Sequence, residues 1–161
     1  MLEQTCKLSR FNLWLMEALT ADIQETEMTL QPAPDVNPPV WILGHLAVAT
    51  DYAAKALGAE RKCPREWHAE FGPGSAAVPQ KSRPTKAELL TAIREGHERL
   101  TTLAGQATAD HLARPHEVEL LKATPLKTIG DLVAHLMSTH ESQHLGQLSM
   151  WRRLTGRKPL V

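Results

Sequence analysis

TIGDLVAHLMSTHESQHLGQLSMWRRLTG, residues 128–156, carries the strongest structural signal in the chain. Its apolar residues recur every three or four positions, which is typical of an amphipathic helix. Thr128 is a suitable N-cap, Asp131 favours the positive end of the helix dipole, and Gly156 is suited to end the helix. The apolar stripe consists of Ile129, Val133, Leu136 and Trp151. The segment therefore predicts one long helix, over residues 128–156, that buries a single face.

Three further helical patterns precede this segment. The first covers residues 2–29 and ends before a run that contains four prolines, which cannot continue a helix. The second covers residues 37–57 with Asn37 as the N-cap, and the third covers residues 85–106 and opens with the capping box TKAE. On the first helix, the inward stripe is predicted to hold Leu8, Phe11, Leu15, Ala18 and Leu19.

The connections between these helices differ in length. Residues 59–84 form the longest irregular stretch, with a short helix predicted at about residues 65–71, and residues 107–127 form a second connector. No segment alternates apolar and polar residues over a convincing strand length. Four amphipathic helices predict an all-α four-helix bundle, with residues 1–161 as a single domain.

The charge balance excludes several classes of partner. Lys and Arg number 18, Asp and Glu number 18, and the pI is near 7.1. Because nucleic-acid and anionic-membrane binders carry a basic excess, we expect neither partner. No apolar stretch is long enough for a membrane span, and MLEQTCKLSRFN lacks the apolar run of a signal peptide, so we expect a cytoplasmic protein. Cys6 and Cys63 lie far apart and imply no disulfide framework.

Two histidines of the last helix are the first candidates for chemistry. His140 and His144 are four residues apart, so they project from one face of the helix. At about 100° per residue, His140 falls in the centre of the apolar stripe, and both imidazoles point into the bundle. A buried pair of imidazoles needs polar partners, and a shared divalent cation supplies them.

The segment HESQH also has the HExxH pattern of zinc proteases, in which the glutamate is the general base. Such proteases take a third ligand downstream, whereas the residues given after His144 include no Asp, Glu or His. They also place a sheet before the motif helix, and none is predicted here. A protease of this class is therefore disfavoured, and the third ligand must come from upstream.

His45 is the preferred third ligand because it lies centrally on the inward stripe of the second helix, beside Trp41 and Tyr52. Three imidazoles would leave one coordination position open, as in catalytic sites. Two alternatives remain at this point. A lone inward histidine such as His45 is more often a hydrogen-bonded core histidine than a ligand. His97, at the edge of the third helix stripe, is a rival ligand that we expect to be partly exposed.

The neighbours of these histidines give weaker signals. Glu141 projects to one flank as a candidate general base, or as a plain surface carboxylate, and Gln147 could orient a ligand one turn beyond His144. His135 points about 140° away from His140 and is expected on the surface. Mid-helix glycines are unfavourable, so Gly44 and Gly146 beside the histidines indicate close helix packing or open space.

In these histidines and their helix contexts, the sequence resembles the DinB/YfiT-like superfamily of metal-binding four-helix proteins. The resemblance rests on NPPVWILGHLAVATDYAAKALG, residues 37–58, and on residues 128–156. Within them, W-x-L-G-H-L-A and H-E-x-x-H-x-G-Q-L are the specific motifs, and FNLW near the start is similar to the family's first helix. The resemblance spans most of the chain in order, although the motif-bearing parts cover only about a third of it.

The resemblance implies an up-down-down-up bundle with a long crossover between the second and third helices. It also implies a divalent metal ion, nickel or zinc, held by His45, His140 and His144. Characterised relatives include transferases that use low-molecular-weight thiols and a mycothiol-dependent isomerase, while others are considered hydrolases. A homodimer is common in the family.

The leading hypothesis is therefore a metal-dependent enzyme that acts on a small molecule: either a transferase that uses a low-molecular-weight thiol as cosubstrate, or a hydrolase. The ion would activate a thiol or a water, and Trp67 and Phe71 from the 59–84 connection could form a lid. The alternative is a non-catalytic, metal-stabilised bundle that acts as a stress-response or interaction module. In that case exposed Trp14 and Trp151 would form a dimer interface.

Overall fold

The computed structural model describes residues 2–79 and 81–160, and these residues form an all-helical bundle without a β-strand. Two short 3-10 turns, Glu25–Glu27 and Glu119–Leu121, lie in the connections. The helices are α1 (Glu3–Thr20), α2 (Pro39–Ala56), α3 (Arg65–Glu70), α4 (Lys86–Gln106), α5 (Ala109–Ala113), α6 (Ile129–Leu136) and α7 (Thr139–Leu154). The predicted all-α fold class is confirmed, and α3 occupies the place of the predicted short helix.

Helix α2 lies at the centre of the structure. It packs against α3, α4, α6 and α7, and most of its side chains are buried. Helix α1 packs against α4 and α7 on the other side of the bundle. The main core includes Met16, Ile42, Leu43, Ile93, Leu148 and Trp151. This arrangement brings α2 and α7, which carry the candidate histidines, into direct contact.

The predicted helix starts are partly confirmed. Thr85 accepts a hydrogen bond from the Glu88 N–H at 3.2 Å, and Glu88 accepts one from the Thr85 N–H at 2.7 Å. Thr128 and Asp131 form the same reciprocal cap at the start of α6. The predicted N-cap of α2, Asn37, is wrong by one residue, because Pro38 is the N-cap and Pro39 begins the helix, where its missing N–H is not needed.

The first helix ends earlier than predicted, at Thr20 instead of residue 29. Cations from other elements satisfy the carbonyls at this end: Arg152 donates to the Leu19 carbonyl at 2.7 Å, and Lys86 donates to that of Thr20 at 3.2 Å. Because these groups replace the next helical turn, the chain can leave the helix without unpaired carbonyls.

The predicted inward stripe of the first helix is correct for Leu19 and Leu15, which lie in or against the core, but wrong nearer the start of the helix. Leu8 and Phe11 are each 54% exposed, whereas Ser9 and Asn12 are almost completely buried. The helix is therefore rotated so that two polar side chains enter the bundle. Burial of these side chains costs free energy unless they have hydrogen-bond partners, and α4 and α7 supply those partners.

The predicted long last helix is interrupted at residues 137–138, between α6 and α7. Ser138 leaves the helical conformation, with φ −139° and ψ −82°. Its carbonyl accepts a hydrogen bond from the Asn12 side chain at 3.1 Å as well as from the Ser142 N–H at 2.9 Å. The break changes the direction in which residues before it point relative to His140.

The long connection expected between the second and third helices is present and contains α3. The up-down-down-up order of directions stays a prediction. None of the helices in the described part of the chain is both long and apolar enough to cross a membrane.

Candidate metal centre

Three imidazoles from two helices converge in the bundle. His45 of α2 lies against His140 and His144 of α7, and each can offer one ring nitrogen such that all three atoms lie within 4.8 Å of one another. The ring centroids are 4.5 to 5.0 Å apart. His45 and His144 are buried, and His140 is partly buried. The structure therefore brings together the three residues that the sequence selected.

His45 is held in place from two sides. Its Nδ1–H donates to the Phe71 carbonyl at 2.6 Å, which leaves the lone pair of Nε2 directed at the cluster. The Trp41 ring stacks on the imidazole, with centroids 4.7 Å apart and planes within 7°. A Cβ atom on Gly44 would meet the Phe71 ring at 2.4 Å. Gly44 thus permits the close approach of Phe71 that orients His45.

His144 is oriented by a side chain of its own helix. Its Nδ1–H donates to Gln147 Oε1 at 3.2 Å, and the same oxygen accepts a hydrogen bond from the Asn37 side chain at 3.2 Å. The other nitrogen, Nε2, is left for the cluster. Gln147 is exposed, yet it has the orienting contact that the sequence suggested.

Of the three clustered histidines, His140 has the fewest hydrogen-bond partners among the described residues. Its Nε2 lies 3.0 Å from His45 Nε2, and its buried Nδ1 has no hydrogen-bond partner among the residues that the structure describes. Two nitrogens bound tetrahedrally to one zinc ion, each at about 2.1 Å, would be about 3.4 Å apart. Because the observed spacing is close to this value and each ring can present Nε2, the residues fit a divalent ion.

The electrostatics keep these rings neutral. Burial, together with the neighbouring rings of His144, His45 and His135, lowers the pKa of His140 to about 3. Burial, followed by the proximity of His45, lowers the pKa of His144 to about 4. Burial also lowers the pKa of His45, against the hydrogen bond to Phe71. Since only a neutral imidazole can donate a lone pair to a metal, the cluster is in its ligating form at neutral pH.

His97 does not belong to the cluster of His45, His140 and His144. The expectation that it is partly exposed is wrong. It is 4% exposed, and its Nε2–H donates to Glu141 Oε1 at 3.1 Å, while the Ser9 hydroxyl lies 2.9 Å from its Nδ1. The inward rotation of α1 supplies Ser9. His97 therefore belongs to a separate polar network.

Glu141 belongs to this network and is not a surface carboxylate; its role as a general base stays a prediction. It is 3% exposed, and its second oxygen accepts a hydrogen bond from the Asn12 side chain at 3.0 Å. Burial raises the pKa of Glu141, against the hydrogen bond from His97 and then that from Asn12. Its two oxygens are directed at α1 and α4, so the HExxH glutamate is occupied elsewhere.

His135 was predicted to be on the surface, and the structure instead places it beside the cluster. Its ring is 5.6 Å from that of His140, and both rings line a cavity of about 420 Å³. The prediction assumed a continuous helix, whereas the break at residues 137–138 turns His135 towards His140. The sequence gives no Pro or Gly signal for that break.

The predicted aromatic neighbours have different places. Tyr52 lines the same cavity, whereas Phe71 is fully buried against Gly44 and therefore belongs to the core rather than to a lid. Trp151 is also fully buried and donates to the Leu30 carbonyl at 2.7 Å, so it cannot form a dimer interface. Trp14 is 57% exposed, as that hypothesis requires.

Comparison with known proteins supports this description. The sequence profile of the DinB superfamily matches residues 13–148, which include all three clustered histidines. The chain belongs to the DinB superfamily. Among curated proteins, none matches the chain.

A solved structure supports the fold of this DinB-superfamily chain. It is described as the crystal structure of a conserved protein from Enterococcus faecalis, and it matches with a TM-score of 0.72 over 96% of both chains at 17% identity. At this level of identity the likeness establishes the fold alone.

Proposed function

We propose that this protein binds one divalent metal ion, nickel or zinc, through His45, His140 and His144, and that it is a metal-dependent enzyme acting on a small molecule. The observation that carries the proposal is the convergence of three neutral imidazoles, with the only nearby carboxylate of α7, Glu141, turned away. Imidazole ligands suit zinc and nickel, and three ligands leave a position for a reacting group.

The residues around the cluster have defined tasks in this proposal. Phe71 and Gln147 hold the rings of His45 and His144 by their Nδ1–H groups, which fixes the tautomer that presents Nε2. The Trp41 ring covers one face of His45 and limits access of water from that side. When bound, the ion would lower the pKa of a thiol or a water at the remaining position, which supplies a nucleophile near neutral pH.

Between the two reactions, we favour transfer of a low-molecular-weight thiol over hydrolysis. Its support is analogy with the superfamily rather than a residue of this chain. The cavity beside His45 and His140 supports a small-molecule substrate, because it provides space next to the open side of the cluster. A reducing, cytoplasmic location suits the two free cysteines, Cys6 and Cys63.

The test has two stages. Metal analysis of the purified protein should find about one nickel or zinc ion per chain, and His140→Ala should remove it. The loaded protein is then assayed with bacillithiol, mycothiol or glutathione and an electrophilic acceptor, and separately with ester and amide substrates. Activity that His140→Ala abolishes and that Gln143→Ala, an exposed change on the same helix, retains would support an enzyme. A tightly bound ion without activity in any assay would contradict it.

The alternative, a non-catalytic interaction module, is favoured by one observation. Leu8, Phe11 and Trp14 form an exposed apolar patch on α1, with the last two rings 5.7 Å apart. Patches of this kind typically mark protein contacts. We propose that this face forms a homodimer, which is compatible with either function. Sedimentation analysis should give a dimer for the natural chain and a monomer for Trp14→Glu; a monomeric natural chain would contradict the proposal.

A further inference from the structure

The cavity beside the histidine cluster is lined almost entirely by apolar groups. His45 and His140 form one end of it, and none of its described lining residues is Lys, Arg, Asp or Glu. The walls come from α2, α6 and the connector that precedes α6, and they include Ala49, Val118, Leu120, Leu132 and Leu136. Burial of a charged group here would be costly, so the cavity suits an uncharged, apolar group.

The connector wall of this cavity is unusually apolar for a surface segment. Leu120 is 73% exposed and Val118 is 37% exposed, although both line the cavity. An apolar ligand in the cavity would cover part of these side chains. The pair therefore points to a ligand that lies against the connector as well as against α6.

A second cavity, of about 500 Å³, adjoins the first and has a different character. Tyr52, Val118 and Leu132 line both cavities, so the two cavities are adjacent. The second is lined by Lys55, Arg61 and Arg114, with Glu117 as the only acid among its described lining residues. The Arg61 guanidinium lies 5.1 Å from the centre of the Tyr52 ring, directly at the boundary.

We propose that these two cavities form one binding site for a small organic anion with an apolar body. The body would occupy the apolar cavity next to His45 and His140, and the anionic end would lie near Arg61 and Arg114. This names a substrate class for the proposed function and rests on it, because the apolar cavity opens on the metal cluster. Binding itself, however, depends on side chains outside that cluster.

Three probes of nearly equal size separate the two halves of the site: 4-phenylbutyrate, 4-phenylbutanol and 4-phenylbutylamine. Their affinities are measured by calorimetry on chelator-treated protein whose folding is verified by circular dichroism, so that no metal contributes. 4-Phenylbutyrate should bind most tightly. Its affinity should be roughly fivefold higher than that of 4-phenylbutanol, since an exposed ion pair raises affinity by up to about this factor. The amine should bind most weakly. Equal affinity for all three would overturn the anionic end of the proposal.

Matched variants locate the probes. Leu120→Asp places a charge on the apolar wall and should weaken binding of 4-phenylbutanol at least about tenfold. The control Leu154→Asp changes another exposed leucine, which lies outside the cavity, and should not weaken binding. Arg61→Gln combined with Arg114→Gln should reduce the affinity for the carboxylate to that for the alcohol, and Arg153→Gln should have no effect. Affinities unchanged by Leu120→Asp, or no binding of any probe, would overturn the proposal.

The outcome is separable from that of the proposed function. Zinc titration of the same variants tests the histidine cluster, and Leu120→Asp should leave zinc affinity unchanged. A chain that binds zinc but no probe would retain the metal centre and lose this substrate class. A chain that binds the probes but no zinc would retain the anion site and lose the metal-dependent activity.

Discussion

Two neighbouring residues of α7, His140 and Glu141, lead into two very different environments. His140 faces His45 and His144, and its buried Nδ1 has no partner. Glu141 faces α1 and α4, where Asn12 and His97 satisfy both of its carboxylate oxygens. One face of α7 therefore carries a buried ring nitrogen without a hydrogen-bond partner among the described residues. On the adjacent face, the carboxylate of Glu141 has a partner for each oxygen.

The difference shows how buried histidines acquire different roles. His97 has an acidic partner and a hydroxyl partner, so its nitrogens are occupied and it stabilises the packing of three helices. The three clustered imidazoles have no acid among their described partners, and burial keeps them neutral with lone pairs that converge. A cation is the partner that such an arrangement accepts. The first environment holds the bundle together, and the second is available for chemistry.

The largest effect on stability is expected from Glu141→Ala. The substitution leaves His97 and Asn12 buried without their acceptor, and breaking a buried pair of this kind typically costs about 3–5 kcal/mol. Chemical denaturation should show a loss of that size in the free energy of unfolding. Glu98→Ala, at an exposed position of α4, is the control and should change stability by no more than about 0.5 kcal/mol. A loss as small as the control's would mean that the network does not hold the helices.

Compared with Glu141→Ala, His140→Ala should affect metal binding strongly and the stability of the metal-free protein less. It removes a ligand, so zinc affinity should fall by more than the roughly 100-fold upper range seen when a hydrogen-bond partner of a ligand is lost. Because His140 Nδ1 has no partner to leave behind, the metal-free protein should lose less stability than it does with Glu141→Ala. Zinc titration and denaturation of the metal-free form measure the two quantities. Retained zinc affinity would separate His140 from the site.

Gln147→Ala tests whether orientation of a ligand matters. Loss of the acceptor for His144 Nδ1–H should weaken metal binding by roughly 10- to 100-fold. Gln143→Ala, one turn earlier on an exposed position of α7, should bind metal as the natural chain does. If both variants bind equally well, Gln147 caps the helix surface and has no part in the metal site.

The smallest effects are expected from the two glycines beside the histidines. Gly44→Ala would push the Phe71 ring from a 2.4 Å contact, and overpacking of this kind costs about 1–3 kcal/mol. Gly146 has open space around its Cβ position, so Gly146→Ala should stabilise the helix by up to about 1 kcal/mol. Thermal denaturation distinguishes these signs. Destabilisation by both would contradict the packing described here.

The sequence predicted those parts of the molecule that local chemistry determines. The capping box at Thr85 and the N-cap Thr128, followed by Asp131, identified two helix starts, since both signals lie within three residues of the helix start. The inward position of His45 and the shared face of His140 and His144 also followed from helical periodicity, because α2 and α7 are uninterrupted at these residues. These residues needed no knowledge of the partners across the bundle.

The errors have a common physical origin in partners that are distant in sequence. An apolar pattern could not reveal that Ser9 and Asn12 turn inward, because their hydrogen-bond partners lie about 90 to 130 residues away. The same Asn12 contact stabilises the break at Ser138, which brings His135 next to His140. His97 and Glu141 were misplaced for the same reason, as each is buried only because the other is present.

The central claim, that folding of this chain is linked to a metal ion on three neutral histidines, is tested most directly by melting with and without a chelator. An ion at about 100 times its Kd adds about 2.7 kcal/mol, or roughly 5–11 °C for a chain of this size. Burial lowers the pKa of His140 to about 3 and that of His144 to about 4, so these rings stay neutral and able to bind the ion until the pH falls towards that range. The chelator should therefore lower the melting temperature clearly at pH 7.5 and still at pH 5, with the effect fading only towards about pH 4, and His140→Ala should abolish its effect. Identical melting at pH 7.5, with metal analysis showing that the ion was removed, would contradict the claim.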